Sequence, residues 1–404
     1  MIRLPLKGVR VLDLTRVLAG PYATQLLGDM GAEILKIEHP VRGDDTRAWG
    51  PPFTKHGESA YYLGANRNKR SIALDFKTAT GQKIIKKLAS RSDVFVENFL
   101  PGGLQKYGLD YASLAKINPK LVYASITGYG QTGPMAKRPG YDVMVEAEFG
   151  LMHITGYKDG PPAKVGVAVT DLTTGLYAAV SILGALRHAD ATGEGQHLDA
   201  ALSDCQLATL ANISSSVLIS GKRDSGRQGS AHPSIVPYQA FETKDGSIML
   251  GGGNDNLFRH ICDGLGKPEW KEDPLYTTNA LRVQHRVELC EKINQVTRLK
   301  TTAEWQAEWD GKPFPFAPIN DVMDSLEHPQ SKARNMVSVV PHPQGDIKVV
   351  SPPVKWSKTP PQITMPPPLL GQHTGEVLSE MLNMKADELA ALESEGVIKL
   401  AKYD

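Results

Sequence analysis

An aspartate at the mouth of a helix is the clearest candidate for covalent chemistry in this sequence. Thr170-Asp171-Leu172-Thr173-Thr174 opens a run of small residues reaching to about Arg187, with Gly166 before Asp171 and Gly175 after it. Asp is a favoured helix cap, so Asp171 reads first as a residue that satisfies an orphan N–H. The same placement suits a nucleophile, because a helix N-terminus favours the ionised carboxylate that attacks a carbonyl carbon. The two glycines would leave room for a bulky thioester. Spacing alone leaves both readings open, and the cap is the commoner outcome.

Other residues divide in the same way. Asn66-Arg67-Asn68-Lys69-Arg70 leads into a strand-like Ser71–Leu74 and reads as a solvated turn or as a set of donors for phosphates. In Gly43-Asp44-Asp45-Thr46-Arg47, Arg47 is either a clamp for a substrate carboxylate or part of a surface turn with internal Asp–Arg pairs. His153 and His232 stand near Gly or Pro and read as structural hydrogen-bonders rather than bases, with His153 kept beside Arg47 as a candidate substrate contact. Gly251-Gly252-Gly253-Asn254 follows a strand and forms either a mobile flap or a tight turn. Val17-Leu18-Ala19-Gly20-Pro21 stands after the first strand, where a GxGxxG would bind NAD, and no phosphate-cradling P-loop exists. Cys205, Cys262 and Cys290 share no CxxC or Cys/His spacing, which argues against a disulfide framework or a zinc site and leaves no metal expected.

These residues need a scaffold, and the chain is long enough to build one. At 404 residues it fits two domains, or one large domain with an insertion. Apolar residues at 41% and charged residues at 22% are ordinary for a soluble globular protein. A formal net charge of +1 supplies no global field toward nucleic acid or an anionic membrane, so neither is an expected partner. The start lacks a signal-like apolar region, which predicts a cytoplasmic protein, or one of the mitochondrial matrix if a presequence has been removed. The longest apolar stretch, Gly175 to Leu186, reads as too short to span a bilayer.

Val9–Leu14, Glu33–Ile37, Asp93–Val96 and Leu121–Ile126 read as strands, and Tyr22–Met30, Gly81–Ser90 and Tyr111–Ile117 as helices between them. That alternation predicts an α/β fold with a Rossmann-like open parallel sheet. A further strand at Gln196–Ala200 and one long helix from Leu202 to Ile219 follow. From about Ser225 the pattern changes to a hairpin, Tyr238–Thr243 and Ser247–Leu250 around Asp245-Gly246, and helices at Leu257–Leu265 and Val283–Val296. The expected division is a large domain from residues 1–220, a small α+β domain from 221–327, and a C-terminal part from 328–404 returning to the large domain. The Pro-rich stretch Pro360–Pro368 reads as an extended strap, followed by helices at Thr374–Leu382 and Ala386–Leu392.

Ordered motifs across nearly the whole chain resemble the class III CoA-transferases, of the formyl-CoA and carnitine CoA-transferase type. They include Asp13-Leu14-Thr15-Arg16-Val17-Leu18-Ala19-Gly20-Pro21, Asn68-Lys69-Arg70-Ser71-Ile72, Asp93-Val94-Phe95-Val96-Glu97-Asn98-Phe99 and Thr192-Gly193-Glu194-Gly195-Gln196. Trp49-Gly50-Pro51-Pro52-Phe53 and Ser234-Ile235-Val236-Pro237-Tyr238 resemble the branch that joins succinyl-CoA to dicarboxylates, with glutarate, itaconate and related diacids as acceptors. The resemblance raises Asp171 above a cap and implies that it carries CoA as an aspartyl thioester. It further implies CoA contacts at Leu18, Ala19, His39, Leu74, Lys77, Asn98, Phe99, Lys106, Arg138 and Tyr141, although His39 stands where the family commonly has Arg. Asp142, beside Tyr141, would lie at the active site. Acyl-CoA would be a substrate with no tightly bound cofactor, and two copies would form an interlocked homodimer. An α-methylacyl-CoA racemase, which has Gly-His-Asp where this chain has Gly140-Tyr141-Asp142, and a non-catalytic CoA-binding protein are the alternatives.

Overall fold

Six short strands, Arg10–Asp13 (β1), Glu33–Glu38 (β2), Lys69–Leu74 (β3), Val94–Glu97 (β4), Val122–Thr127 (β5) and His197–Ala201 (β6), form one parallel sheet in the computed structural model, which describes residues 4–401. Their order is β3-β2-β1-β4-β5-β6, and Ile398–Lys399 adds an antiparallel edge to β3. The alternation of strands and helices therefore produces the doubly wound α/β sheet expected of it.

Side chains of a strand point to opposite faces in turn, and in β1–β5 both faces are largely buried. Val11, Ile34, Val94, Val96, Val122 and Ala124 pack with α1 (Ala19–Asp29) and the long helix Val169–Thr192. Leu12, Leu35, Phe95 and Tyr123 face the other way, against helices Ala79–Ala89, Thr374–Leu382 and Ala386–Ser394. Thr78 starts the first of those helices by accepting the Gly81 N–H at 3.0 Å. Between Val350 and Thr374 the chain has no helix or strand, as the proline content predicts. It is tied down where Asn68 Oδ1 accepts the N–H groups of Thr364 at 2.7 Å and Met365 at 3.0 Å.

The chain divides into two compact units, one of residues 1–150, 165–215 and 329–404, the other of 151–164 and 216–328. Residues 151–164, expected with the first region, thus group with the second. The second unit carries an antiparallel sheet of Tyr238–Glu242, Ser247–Gly251 and Phe316–Pro318 over a core that includes Phe241, Ile248, Phe258, Trp305 and Trp309.

Three elements differ from expectation. The helix read as Leu202–Ile219 breaks into Leu202–Thr209 and Ala211–Ser220, where Ala211 takes a φ of +45°. The one read as Val283–Val296 divides at His285 into Asn279–Gln284 and Arg286–Thr297. The stretch read as too short for a membrane belongs to the 24-residue helix Val169–Thr192, which is long and apolar enough to cross one by length and composition. One side of that helix is built into the core through Ala178, Ala179, Ile182 and Ala185, while Leu176, Tyr177 and Val180 are exposed.

Candidate active site

The order of the sheet reverses between β1 and β4, and the loops after these two strands part there to leave a crevice, the usual ligand site of an open parallel sheet. A chamber of about 470 Å³ lies at this point, lined by Arg16–Ala19 after β1, Asn98–Pro101 after β4, Thr127 and Gly128 at the end of β5, and Asp171 from the long helix. Arg138 and Tyr141 complete its wall. The loop carrying them closes where Gly128 and Gly140 meet backbone to backbone, so a side chain on either would strike the other's Cα at under 3 Å.

Asp171 is not the cap of its helix. Ala168 holds that position and has no capping side chain, leaving Asp171 inside the first turn. The orphan N–H of Asp171 is satisfied from a distance, donating to Asp142 Oδ1 at 3.0 Å. No hydrogen bond or ion pair among the described residues reaches the Asp171 carboxyl group itself. Burial, and then the nearby charge of Asp142, push its pKa up to about 7. Burial and the Asp142 charge thus oppose the ionised form that the sequence expected the helix terminus to favour. A half-ionised, uncommitted carboxylate in a chamber is suited to act as a nucleophile near neutral pH. Gly175 does not open the chamber, because a Cβ there would lie 2.7 Å from the Ala19 carbonyl oxygen of α1. Its role is close helix packing.

The turn that faces Asp171 rests on buried charges. Lys36 donates to Asp44 Oδ2 and to the Thr15 carbonyl, both at 2.9 Å. Lys69 donates to Asp13 Oδ2 at 3.2 Å and to the Pro21 carbonyl at 2.8 Å. Burial opposes ionisation of Asp44, but Lys36 and the N–H groups of Thr46 and Val17 outweigh it and hold the carboxyl at about 2. The N–H of Val17 donates to Asp44 Oδ1 at 3.1 Å, and Val17 takes a φ of +72°. For a β-branched residue that conformation is strained by about 1–3 kcal/mol. Asn98 braces the same turn, accepting the Arg16 N–H at 3.0 Å and donating to the Arg16 carbonyl at 2.7 Å.

Next to the chamber runs a second cavity of about 330 Å³, which contains His39, Arg42, Leu74, Lys77 and Lys106. Arg16, Phe99 and Gly103 line both cavities, so the two adjoin. Among the residues assigned from the sequence, Leu18, Ala19, Asn98, Phe99, Arg138, Tyr141 and Asp171 thus share the chamber, and His39, Leu74, Lys77 and Lys106 share the groove. His39 Nδ1 accepts the Val41 N–H at 3.2 Å, and Arg138 is paired with Glu148 at 2.9 Å.

Three sequence readings need correction. Arg47 is no free clamp: it grips Glu38 at 2.7 and 2.8 Å, Glu58 at 3.3 Å, the Tyr62 hydroxyl at 2.6 Å and the Pro368 carbonyl at 3.1 Å, so every guanidinium nitrogen is committed. Asn66–Arg70 is neither a solvated turn nor a phosphate site. Arg67 is paired with Asp29 at 2.6 Å, Lys69 is fully buried, and Arg70 binds Glu33 and Glu376. His153 lies in the second unit and pairs with Asp224 at 3.3 Å. In that unit Gly252 is buried and donates to the Pro237 carbonyl at 2.6 Å, and Asn254 caps the following helix, which describes a tight turn.

Arg16, Arg42 and Tyr61 were missed. Burial, then the charges of Asp171, Asp142 and Asp44, push up the Tyr61 phenol, and its ring meets Trp49 edge-on at 5.2 Å. The signal for the arginines was their place just past the carboxyl ends of β1 and β2, where open parallel sheets bind ligands. Among the described residues no group of three or more His, Cys, Asp or Glu side chains is arranged to hold a metal ion.

The profile of "CoA-transferase family III" matches residues 6–374. A succinyl-CoA:glutarate CoA-transferase of Mus musculus is 48% identical over 98% of this chain and 90% of its own length. A succinate–glutarate CoA-transferase of Agrobacterium fabrum is 46% identical over 93% of this chain and 96% of its own. The crystal structure of a CaiB/BaiF family protein from Brucella suis, 42% identical, superposes with a TM-score of 0.85 over 94% of this chain and 99% of that one.

Proposed function

The chain belongs to CoA-transferase family III and is an enzyme that transfers coenzyme A; we propose that it moves CoA from succinyl-CoA to glutarate, or to a similar short diacid such as itaconate, through a covalent thioester on Asp171. The observation that carries this reading is the Asp171 carboxyl group, free of any partner among the described residues and inside the chamber at the sheet's switch point.

The ionised Asp171 carboxylate attacks the succinyl thioester carbonyl. The carbon–sulfur bond breaks and CoA leaves as a thiolate, giving a mixed anhydride between succinate and Asp171. The thiolate then attacks the Asp171 carbonyl carbon, expels succinate as a carboxylate, and forms the aspartyl-CoA thioester. The acceptor carboxylate attacks that thioester, the thiolate leaves again, and its return to the acceptor's carbonyl restores the Asp171 carboxylate. No proton is gained or lost, so no general base is required. With a pKa of about 7, Asp171 is ionised in about half of the molecules at neutral pH. Splitting one exchange into steps between similar acyl groups is the contribution of covalent catalysis.

The groove supplies Arg42, Lys77 and Lys106 for the phosphates of CoA, and the chamber takes the thioester end. Phe99 lines both cavities, and Leu18 and Ala19 line the chamber beside it. The resemblance also supports a homodimer, and the exposed Leu176, Tyr177 and Val180 form an apolar face suited to a second copy; light scattering at micromolar protein tests it. The proposed reaction is tested by incubating the enzyme with succinyl-CoA and glutarate and separating the thioesters by chromatography. Glutaryl-CoA and succinate in equal amounts are expected. Free CoA without glutaryl-CoA would make the enzyme a hydrolase and defeat the proposal.

A further inference from the structure

Both the proposed donor and the proposed acceptor carry a second carboxylate, and that charge needs a partner inside the chamber. We infer that Arg16 recognises this remote carboxylate and sets the preference for diacids. The inference rests on the reading that Asp171 exchanges diacid acyl groups in this chamber.

The charged residues lining the chamber are Arg16, Asp45, Arg138 and Asp171. Arg138 is already paired with Glu148 and lies over the Tyr129 ring at 5.2 Å. Arg16 likewise lies over an aromatic ring, that of Phe99 at 5.5 Å, and its one ion pair among the described residues runs from Nη1 to Asp45 Oδ2 at 2.7 Å. Its Nε is buried and has no partner among the described residues, a costly state for an N–H unless a ligand supplies an acceptor. A guanidinium offers five donors in a planar fork that matches a carboxylate bidentately. Asp45 thus shows the interaction in miniature, a carboxylate already docked on one arm of the fork.

The backbone of Arg16 is fixed in advance, clamped on both its N–H and its carbonyl by Asn98 and followed by the strained Val17. Such a held position favours discrimination over adaptability. Arg16 also touches the groove, so the pyrophosphate of CoA is the competing ligand. Two observations favour the carboxylate. The groove has Arg42, Lys77 and Lys106 of its own, and Asp45, the partner that a ligand would displace, lines the chamber and not the groove.

The test compares Arg16→Gln and Arg16→Lys with the natural protein, using glutarate and its monomethyl ester as acceptors. In a ping-pong reaction kcat/KM for the acceptor reports the second half-reaction alone. Arg16→Gln is expected to lower kcat/KM for glutarate about tenfold to a hundredfold, the scale of a charge-assisted hydrogen-bonded pair, and to leave the ester within about threefold. Arg16→Lys should recover only part of the loss. The Kd of free CoA, measured by calorimetry, should stay within about threefold, which also reports a folded groove. Equal losses on both acceptors, a weakening of CoA by tenfold or more, or an unchanged glutarate rate would each overturn the assignment. Mass spectrometry of the same variants after succinyl-CoA separates this from the parent reading: a CoA adduct on Asp171 with an unchanged acid preference defeats Arg16 alone, whereas no adduct in the natural protein defeats the thioester itself.

Discussion

Replacing Asp171 with Asn should abolish turnover and yet make the folded protein more stable above neutral pH. Burial and the charge of Asp142 raise the Asp171 pKa from 3.8 to about 7. Between those two values the folded state keeps a proton that the unfolded chain releases. The contribution of this group to stability therefore falls as pH rises through that window and is constant above it. The full penalty is on the order of 4 kcal/mol, of which about 2–3 kcal/mol develops between pH 5 and pH 8. Asn keeps the shape and removes the charge, so the stability gained by Asp171→Asn should be about 2–3 kcal/mol larger at pH 8 than at pH 5. Guanidinium unfolding curves of both proteins at the two pH values measure it. An Asn variant equally affected at both, or less stable at pH 8, would show that Asp171 is not a desolvated, charge-crowded carboxylate.

The same shift predicts that kcat/KM for succinyl-CoA rises about tenfold per pH unit below 7 and levels above it, since only the ionised carboxylate attacks. Lys77→Ala with Lys106→Ala should raise KM for succinyl-CoA about tenfold or more with little change in kcat, and should not affect succinyl-pantetheine, which lacks the phosphates. Arg47→Ala should cost about 3–5 kcal/mol of stability by stranding Glu38, and a urea melt will read it; the preference for diacids should not change. Gly175→Ala should destabilise by about 1–3 kcal/mol, because its Cβ would crowd the Ala19 carbonyl where the two helices touch.

The scaffold was legible because its signal is local. Val9–Leu14, Glu33–Ile37 and Asp93–Val96 are runs of strand length rich in Val, Ile and Leu, and helix-like segments stand between them. The charged residues were harder to read, because their partners lie far away in sequence. Arg67 meets Asp29 and Lys69 meets Asp13, pairs that exist only once β1, β2 and β3 lie side by side. Arg47 finds Glu38 and Tyr62 by the same route, which turned an apparent clamp into a buried brace. Asp171 could be located from its motif, but its isolation could not, since that depends on a cap from Asp142 and a wall from three other loops. Arg16 stands inside the Asp13–Pro21 motif, just past the end of β1, but its residue type alone does not say what it binds, and it gains meaning from the chamber it lines.

The measurement closest to the central claim is mass spectrometry of the protein mixed with succinyl-CoA and no acceptor, followed by hydroxylamine and peptide mapping. The account predicts a CoA adduct on the intact chain and, after hydroxylamine, a hydroxamate on the peptide at Asp171 that is absent from Asp171→Asn. An active enzyme with no adduct, or with the label on any other residue, would contradict it.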